Sequence, residues 1–214
     1  MEILDQSVAA EVADKLLEIQ AIRLQPDKPF IWASGWKSPI YCDNRLSLSF
    51  PPVRNLIKKH LVRTVIHYFP QAEAIAGVAT AGIPQGALIA NDLELPFVYV
   101  RSKAKGHGME NMIEGKVNPG QKIVVVEDLV STGGSSLKAV QDLRDAGFDV
   151  LGMVAIFSYG FDVAAKNFSE SNVKLACLSS YEALLPRAVH QKYINDQALN
   201  SLSEWRKDPG NWNS

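Results

Sequence analysis

The feature that most constrains the fold is an alternation of short apolar runs and helix-like patterns that begins at residue 74. The apolar runs have the length of strands, and the segments between them carry the apolar spacing of helices. In chain order the segments are AIAGV (74–78), GIPQGALIANDLEL (82–95), FVYV (97–100), KIVVVED (122–128), SSLKAVQDLRDAG (135–147) and VLGMVAIFSYG (150–160). Continuous apolar strands separated by helices are typical of a parallel sheet covered on both faces. The sequence therefore predicts an α/β, doubly wound fold with a mainly parallel sheet.

The flanking segments complete this prediction. Amphipathic helices are expected after Ser7 and after Pro51, and the segment FIWASGWKSPIYCDNR (30–45) between them is too irregular for a helix. We expect that segment to form a small strand-and-loop subdomain. After the alternation, we expect a helical stretch near 163–168, a strand VKLACL (173–178) and a helix from about 195 to 207. A chain of 214 residues does not require a second domain, so a single domain over 1–214 is the simplest organisation.

Charge and apolar run lengths argue against several classes of protein. The formal net charge of -1 gives no reason to expect nucleic acid or a membrane as the partner. The apolar runs are far shorter than the roughly 20 residues that cross a bilayer. Cys42 and Cys177 match no paired metal-ligand spacing, and the acidic, amphipathic N-terminus is unlike a signal peptide. We therefore expect a cytoplasmic protein.

The segment IVVVEDLVSTGGSS (123–136) combines two carboxylates at the end of a strand with a loop of glycines and hydroxyl residues. Gly133 and Gly134 allow close approach of a phosphate, and the start of the following helix favours an anion. Glu127 and Asp128 only accept hydrogen bonds when ionised, so they require hydroxyl donors. A ribose 5-phosphate offers both groups. The alternative is that the acids cap the helix and the glycines turn the chain; the Walker A and G-x-G-x-x-G patterns are absent.

Two further segments could bind anions. The long polar connection RSKAKGHGMENMIEGKVNPG (101–120) begins with four potential cations: Arg101, Lys103, Lys105 and His107. A connection of this length is typical either of a functional lid, here one that closes over a polyanion, or of a solvated linker. The segment GVATAGIP (77–84) could be an ordinary turn, or a second anion-binding turn that would suit a diphosphate.

The acidic pair followed by STGGS resembles the phosphoribosyl diphosphate (PRPP) motif of type I phosphoribosyltransferases. Together with FIWASGWKSPIYCDNR and VRSKAKGHG, it is similar to the orotate phosphoribosyltransferase family. The resemblance implies transfer of phosphoribose from PRPP to N1 of orotate, giving orotidine 5'-phosphate and diphosphate in pyrimidine synthesis. It also implies Mg²⁺ as the cofactor, an N-terminal hood from about residue 20 to 50, and a homodimer with shared active sites.

Site residues follow from the same resemblance. Glu127 and Asp128 would hold the ribose hydroxyls, Lys37 matches an active-site lysine, and Ser131 also occupies an orotate-contacting position. The catalytic residues would be Arg101, Lys105 and His107, from a loop that reaches into the partner's site. The residues expected to bind the 5'-phosphate are Leu129, Val130, Ser131, Thr132, Gly133, Gly134 and Ser135.

The chain departs from the family pattern at three positions. Some members have a second lysine where Ser102 stands, others have a lysine in place of Ala81, and others have an orotate-binding arginine in place of Tyr159. Two other functions stay open at this point: a phosphoribosyltransferase for another base, and a regulator that binds PRPP without turnover. The intact RSKAKGHG segment argues against the regulator, since a sensor needs no clamp on a leaving group.

Overall fold

The computed structural model describes residues 1–32, 35, 37–102, 112–116 and 118–212. The seven helices of this part of the chain are α1 (Gln6–Glu18), α2 (Pro51–Tyr68), α3 (Gly82–Leu93), α4 (Gly134–Asp145), α5 (Asp162–Glu170), α6 (Tyr181–His190) and α7 (Asp196–Lys207), with a 3₁₀ helix over Asn44–Ser49. Its strands are β1 (Glu2–Ile3), β2 (Ile22–Leu24), β3 (Phe30–Ile31), β4 (Lys37–Ser38), β5 (Ile40–Cys42), β6 (Ala74–Val78), β7 (Phe97–Val100), β8 (Ile113–Glu114), β9 (Lys122–Val130), β10 (Asp149–Ser158) and β11 (Leu175–Ser180).

A central sheet runs in the order β1-β11-β10-β9-β6-β7-β8. Its strand pairs are parallel except for the edge pair β7 and β8, which is antiparallel. Strands β6 and β9 are neighbours in the middle of this order, so their carboxyl ends lie side by side. The predicted α/β fold with a mainly parallel sheet is confirmed.

The sequence led us to expect that the strand ends at the acidic pair, and this prediction is wrong. Strand β9 continues through Glu127 and Asp128 to Val130, because β10 pairs with it as far as Val130. Five elements were not predicted: the short strands β1, β2 and β8, the 3₁₀ helix, and α6, which contains Pro186. Helix α6 tolerates the proline because Tyr181, Leu184 and Leu185 bury its apolar face.

The two faces of β9 point into separate clusters of buried side chains. Val124 and Val126 pack among the apolar residues of α1, α2, α6 and α7, while Ile123 and Val125 pack with those of α4 and α5. Successive strand residues point to opposite faces.

The first 50 residues contain two small antiparallel pairs, β2 with β5 and β3 with β4. The 3₁₀ helix follows β5 and packs against both α2 and β9. The segment between the first two helices thus lies over the carboxyl half of β9. No helix among the described residues is long and apolar enough to cross a membrane.

Candidate active site

The carboxylate of Glu127 is buried and held on two sides, with 7% of the residue exposed. Its Oε2 accepts a hydrogen bond from the hydroxyl of Ser136 at 3.1 Å, and its Oε1 accepts one from the backbone N–H of Asp128 at 3.1 Å. Burial, together with the neighbouring charge of Asp128, raises the pKa of Glu127 above its ordinary value. Ser136 lies in the first turn of α4, so Glu127 points to the α4 face of the sheet.

Asp128 lies close to the 3₁₀ helix and its flanking residues. The side-chain amide of Asn44, which is 1% exposed, donates a 2.8 Å hydrogen bond to the backbone carbonyl of Asp128. Burial raises the pKa of the Asp128 carboxyl, while its side-chain hydrogen bond with Glu127 and the positive charge of Arg45 act in the opposite direction. The two carboxylates therefore have different surroundings despite being adjacent in sequence.

The loop that follows β9 leads directly into α4. Ser131 and Thr132 are partly exposed, Gly133 has a left-handed backbone with φ of +83°, and α4 begins at Gly134. No side chain of the described residues caps this helix start, and the first N–H groups of a helix have no partner within the helix. Exposed Ser135 adds a hydroxyl beside them. The loop thus presents amide and hydroxyl donors at the end of the sheet, which is the arrangement that binds phosphate groups.

Helix α5 braces this loop from behind. The side-chain amide of Asn167 donates a 2.9 Å hydrogen bond to the carbonyl of Thr132. A Cβ at Gly133 would lie 2.7 Å from the ring of Phe168, so only glycine fits both the space and the backbone angle.

A second loop lies beside the first, between β6 and α3. Ala79 and Thr80 are joined by a cis peptide bond, and α3 begins without a side-chain cap among the described residues. Gly82 lets α3 approach β9 closely: a Cβ there would lie 2.3 Å from the carbonyl oxygen of Val126, next to Glu127. Both uncapped helix starts therefore face the same edge of the sheet.

The predicted cationic residues are only partly described. Arg101 follows β7 and pairs with Glu114 of β8, with 3.2 Å between Nη1 and Oε1. Lys37 lies on β4 with an exposed side chain, and its carbonyl accepts a hydrogen bond from the indole of Trp205. Lys105 and His107 lie outside the described residues. The structure thus brings Glu127, Asp128 and the loop together and places Lys37 on the small N-terminal strands.

Tyr159 lies in a cluster of aromatic rings next to the site. Its ring centroid is 5.2 Å from that of Trp32, 5.5 Å from that of Phe161 and 5.8 Å from that of Trp205. The residue is 2% exposed, and burial raises the pKa of its phenol well above the ordinary value. Trp32 packs against this cluster, with its ring centroid 5.6 Å from that of Trp205.

Sequence reasoning missed two residues that position the site, Asn44 and Asn167. Each donates a hydrogen bond to the backbone carbonyl of a residue far away in the sequence, 84 positions for Asn44 and 35 for Asn167. No sequence motif predicts such a contact. A cavity of about 890 Å³ lies between α6, α7 and the start of α5. From the loop between β9 and α4, Thr132 lines this cavity. We do not assign that cavity to the site.

The sheet order and the loop after β9 define a phosphoribosyltransferase domain, and the model of the phosphoribosyl transferase domain family matches residues 52–181. An orotate phosphoribosyltransferase of Cytophaga hutchinsonii is 59% identical over 202 residues, which are 94% of this chain and 97% of that protein. The chain belongs to the orotate phosphoribosyltransferase family.

Solved structures agree with this assignment. The orotate phosphoribosyltransferase of Aeropyrum pernix is 27% identical with a TM-score of 0.75, over 86% of this chain and 99% of that one. UMP synthase of Leishmania donovani is 26% identical with a TM-score of 0.78, over 94% of this chain. This chain spans 43% of the UMP synthase chain.

Proposed function

We propose that this protein is an orotate phosphoribosyltransferase, which transfers phosphoribose from PRPP to N1 of orotate and releases diphosphate, in pyrimidine synthesis. One observation carries the proposal: the buried carboxyl group of Glu127 and the partly buried one of Asp128 stand just before a braced, uncapped loop, in a chain that is 59% identical to an enzyme of that name. The site can receive the hydroxyls and the phosphate of one sugar at the same time.

Each part of PRPP has a matching group in the site. Glu127 and Asp128 are acceptors for the ribose hydroxyls, and the segment from Leu129 to Ser135 supplies donors for the 5'-phosphate. The uncapped start of α3 lies beside them and suits the diphosphate. These roles are proposed from the family resemblance, and the positions of the groups at the sheet edge support them.

The reaction requires stabilisation of a leaving group and of a cation-like sugar. As the bond from C1 to the diphosphate breaks, negative charge grows on the diphosphate, so cations near it stabilise the transition state more than the ground state. Arg101, Lys105 and His107 are the candidates for this role. The carboxylates of Glu127 and Asp128 stand on the sugar side, where they favour the developing positive charge.

Mg²⁺ is the proposed cofactor. Among the described residues, no group of three or more His, Cys, Asp or Glu side chains could hold a metal ion. The acidic pair suits a Mg²⁺ site with few protein ligands, since Mg²⁺ usually keeps several waters and binds one or two carboxylates together with substrate phosphates. When bound, Mg²⁺ would neutralise charge on the diphosphate. Glu127 and Asp128 would hold it by way of the ribose hydroxyls.

We also propose a homodimer in which each subunit completes the other's site. Leu46 and Phe50 are 41% and 43% exposed on and just after the 3₁₀ helix, an apolar surface that a second copy could cover. Nearby, Nε of Arg54 is buried with no acceptor among the described residues. A single domain with residues 20–50 as the hood and a cytoplasmic location complete the proposal.

Mixing two inactive variants tests the shared sites. Lys105→Ala and Asp128→Ala should each lose activity, and their hybrid dimers should regain one intact site out of two. With random exchange, recovery should reach up to about a quarter of the wild-type rate. No recovery, with exchange verified by differently tagged subunits, would rule out shared sites.

Diphosphate release tests the activity itself. The wild-type protein should release diphosphate only when orotate, PRPP and Mg²⁺ are all present, and Asp128→Asn should reduce the rate strongly. Release that does not depend on orotate, or PRPP binding without any release, would refute the proposed activity.

A further inference from the structure

Orotate carries a carboxylate, yet the acidic pair at the site would repel an anionic base. Resting on the proposed function, we propose that Arg45, oriented by Asp43, binds the carboxylate of the pyrimidine acceptor and thereby determines which base is used. The argument depends on where Arg45 is anchored, how its guanidinium is held, and which other cations are available.

The anchor is the neighbouring residue. Asn44 is almost fully buried and is fixed to β9 through the 2.8 Å hydrogen bond from its Nδ2 to the carbonyl of Asp128. Its Oδ1 accepts a hydrogen bond from Sγ of Cys42 at 3.3 Å. Both ends of this amide are therefore engaged. Arg45 is the next residue in the chain, so its backbone is held close to Asp128.

The guanidinium is held in a defined orientation. Nε and Nη2 of Arg45 donate to the two carboxylate oxygens of Asp43 at 2.6 and 3.0 Å, and the backbone N–H of Arg45 donates to Oδ1 at 3.2 Å. A bidentate pair fixes the plane of the guanidinium, and among the described residues its other N–H groups have no acceptor. The side chain of Arg45 is 57% exposed, whereas that of Asp43 is 19% exposed. The free edge is thus accessible to a ligand.

Two arginines supply positive charge on this side of the site. Arg23 also acts electrostatically on Asp43, so two arginines surround one aspartate. The guanidinium of Arg23 lies over the rings of Phe30 and Tyr41, at 5.3 and 4.9 Å from their centroids. The charge of Arg45 also reaches Asp128, which it helps to keep ionised. The two arginines therefore offset the charges of Asp43 and Asp128, and Arg45 supplies an exposed donor edge on this side of the site.

Other cations near the site are less suited to this role. The position where some relatives have an arginine is occupied by Tyr159, which is buried among aromatic rings. Arg101 is paired with Glu114, and Nη2 of Arg206 donates to the carbonyl of Gly160. Lys37 is exposed on β4 and is the competitor that an experiment has to separate from Arg45.

The test measures acceptor discrimination in Arg45→Gln, Arg45→Lys, Asp43→Asn and Lys37→Gln. Loss of a charge-assisted hydrogen bond should raise the KM for orotate roughly ten- to a hundredfold in Arg45→Gln. The KM for PRPP should stay within about twofold of wild type, because it is bound by other groups. The ratio of kcat/KM for orotate to that for uracil should fall by the same factor as orotate binding. Arg45→Lys should recover part of the loss, and Asp43→Asn should give an intermediate effect.

Arg63→Gln is the matched control, since Arg63 is an exposed arginine on α2, and its kinetics should equal those of wild type. Two results would overturn the role of Arg45 but not the proposed function. One is an unchanged KM for orotate in Arg45→Gln, and the other is a rise in that KM seen only in Lys37→Gln. An equal rise in both KM values, or an unchanged orotate-to-uracil ratio, would also overturn it. Absence of orotate turnover by the wild-type protein would overturn the proposed function and this inference together. Because the ratio compares two acceptors on the same folded protein, partial loss of stability does not affect it.

Discussion

The hydroxyl of Ser136 donates a 3.1 Å hydrogen bond to Oε2 of Glu127, and both side chains are buried. Ser136 lies beyond the segment expected to contact the 5'-phosphate, so its contribution should come through Glu127.

Replacing Ser136 with alanine should leave a buried acceptor without its donor. Such a loss costs about 1–3 kcal/mol, so we expect lower stability and a kcat/KM for PRPP reduced roughly tenfold. Ser179→Ala is the control, because its buried hydroxyl donates to the carbonyl of Ala9 at 2.8 Å, away from the acidic pair. Thermal unfolding and steady-state kinetics should show lower stability in both variants and lower catalytic efficiency only in Ser136→Ala. Equal kinetics in the two variants would contradict a positioning role.

The raised pKa of Glu127 has a consequence for stability. Between the ordinary pKa of 4.5 and about 8, the folded protein without ligand keeps a proton on Glu127 that the unfolded chain has released. The folded state then binds more protons, so this residue's contribution to the free energy of unfolding falls as pH rises through that interval. Glu127→Gln cannot titrate at this position, so wild type should lose stability relative to it between pH 5 and about 8. Urea unfolding of both proteins across that range measures the difference, and parallel curves would contradict the raised pKa.

The main fold was predictable because apolar runs and helical spacing are local signals. Strands β6 and β7 begin and end at the predicted residues, and α4 differs from its predicted range by one residue at its start and two at its end. The carboxylates and the glycine loop were found because their chemistry is concentrated within one strand and its turn. Asn44 was not found because it acts on Asp128 across 84 positions, and α6 was missed because Pro186 is typical of a helix end rather than an interior.

Gly133 should be intolerant of a side chain for two separate reasons. Alanine there would carry the strain of a φ of +83° and would place its Cβ 2.7 Å from the ring of Phe168. Gly120 has a similar φ of +80° with no atom within 4 Å, so Gly120→Ala isolates the backbone strain of about 1 kcal/mol. We expect Gly133→Ala to be the less stable variant and to bind PRPP more weakly, as measured by calorimetry. Equal stability and equal affinity would show that Phe168 does not brace the loop.

Asn44 should hold the N-terminal segment against β9 through its hydrogen bond to Asp128. Asn44→Ala removes a buried donor to the carbonyl of Asp128, so we expect a loss of about 1–3 kcal/mol in stability. Because Arg45 would lose its anchor, the KM for orotate should rise in the same variant. Asn118→Ala is the control, since the side-chain amide of Asn118 donates to Oε1 of nearby Gln121, away from the acidic pair. An orotate KM equal to that of the control would contradict the link.

The most direct test of the central claim is an acceptor competition with the wild-type protein. Equal concentrations of orotate, uracil, adenine and hypoxanthine are mixed with PRPP and Mg²⁺, and the nucleotide products are separated by chromatography. We predict that orotidine 5'-phosphate is the product and that orotate absorbance falls as it forms. A uracil or purine nucleotide as the main product, or no nucleotide at all, would contradict the account.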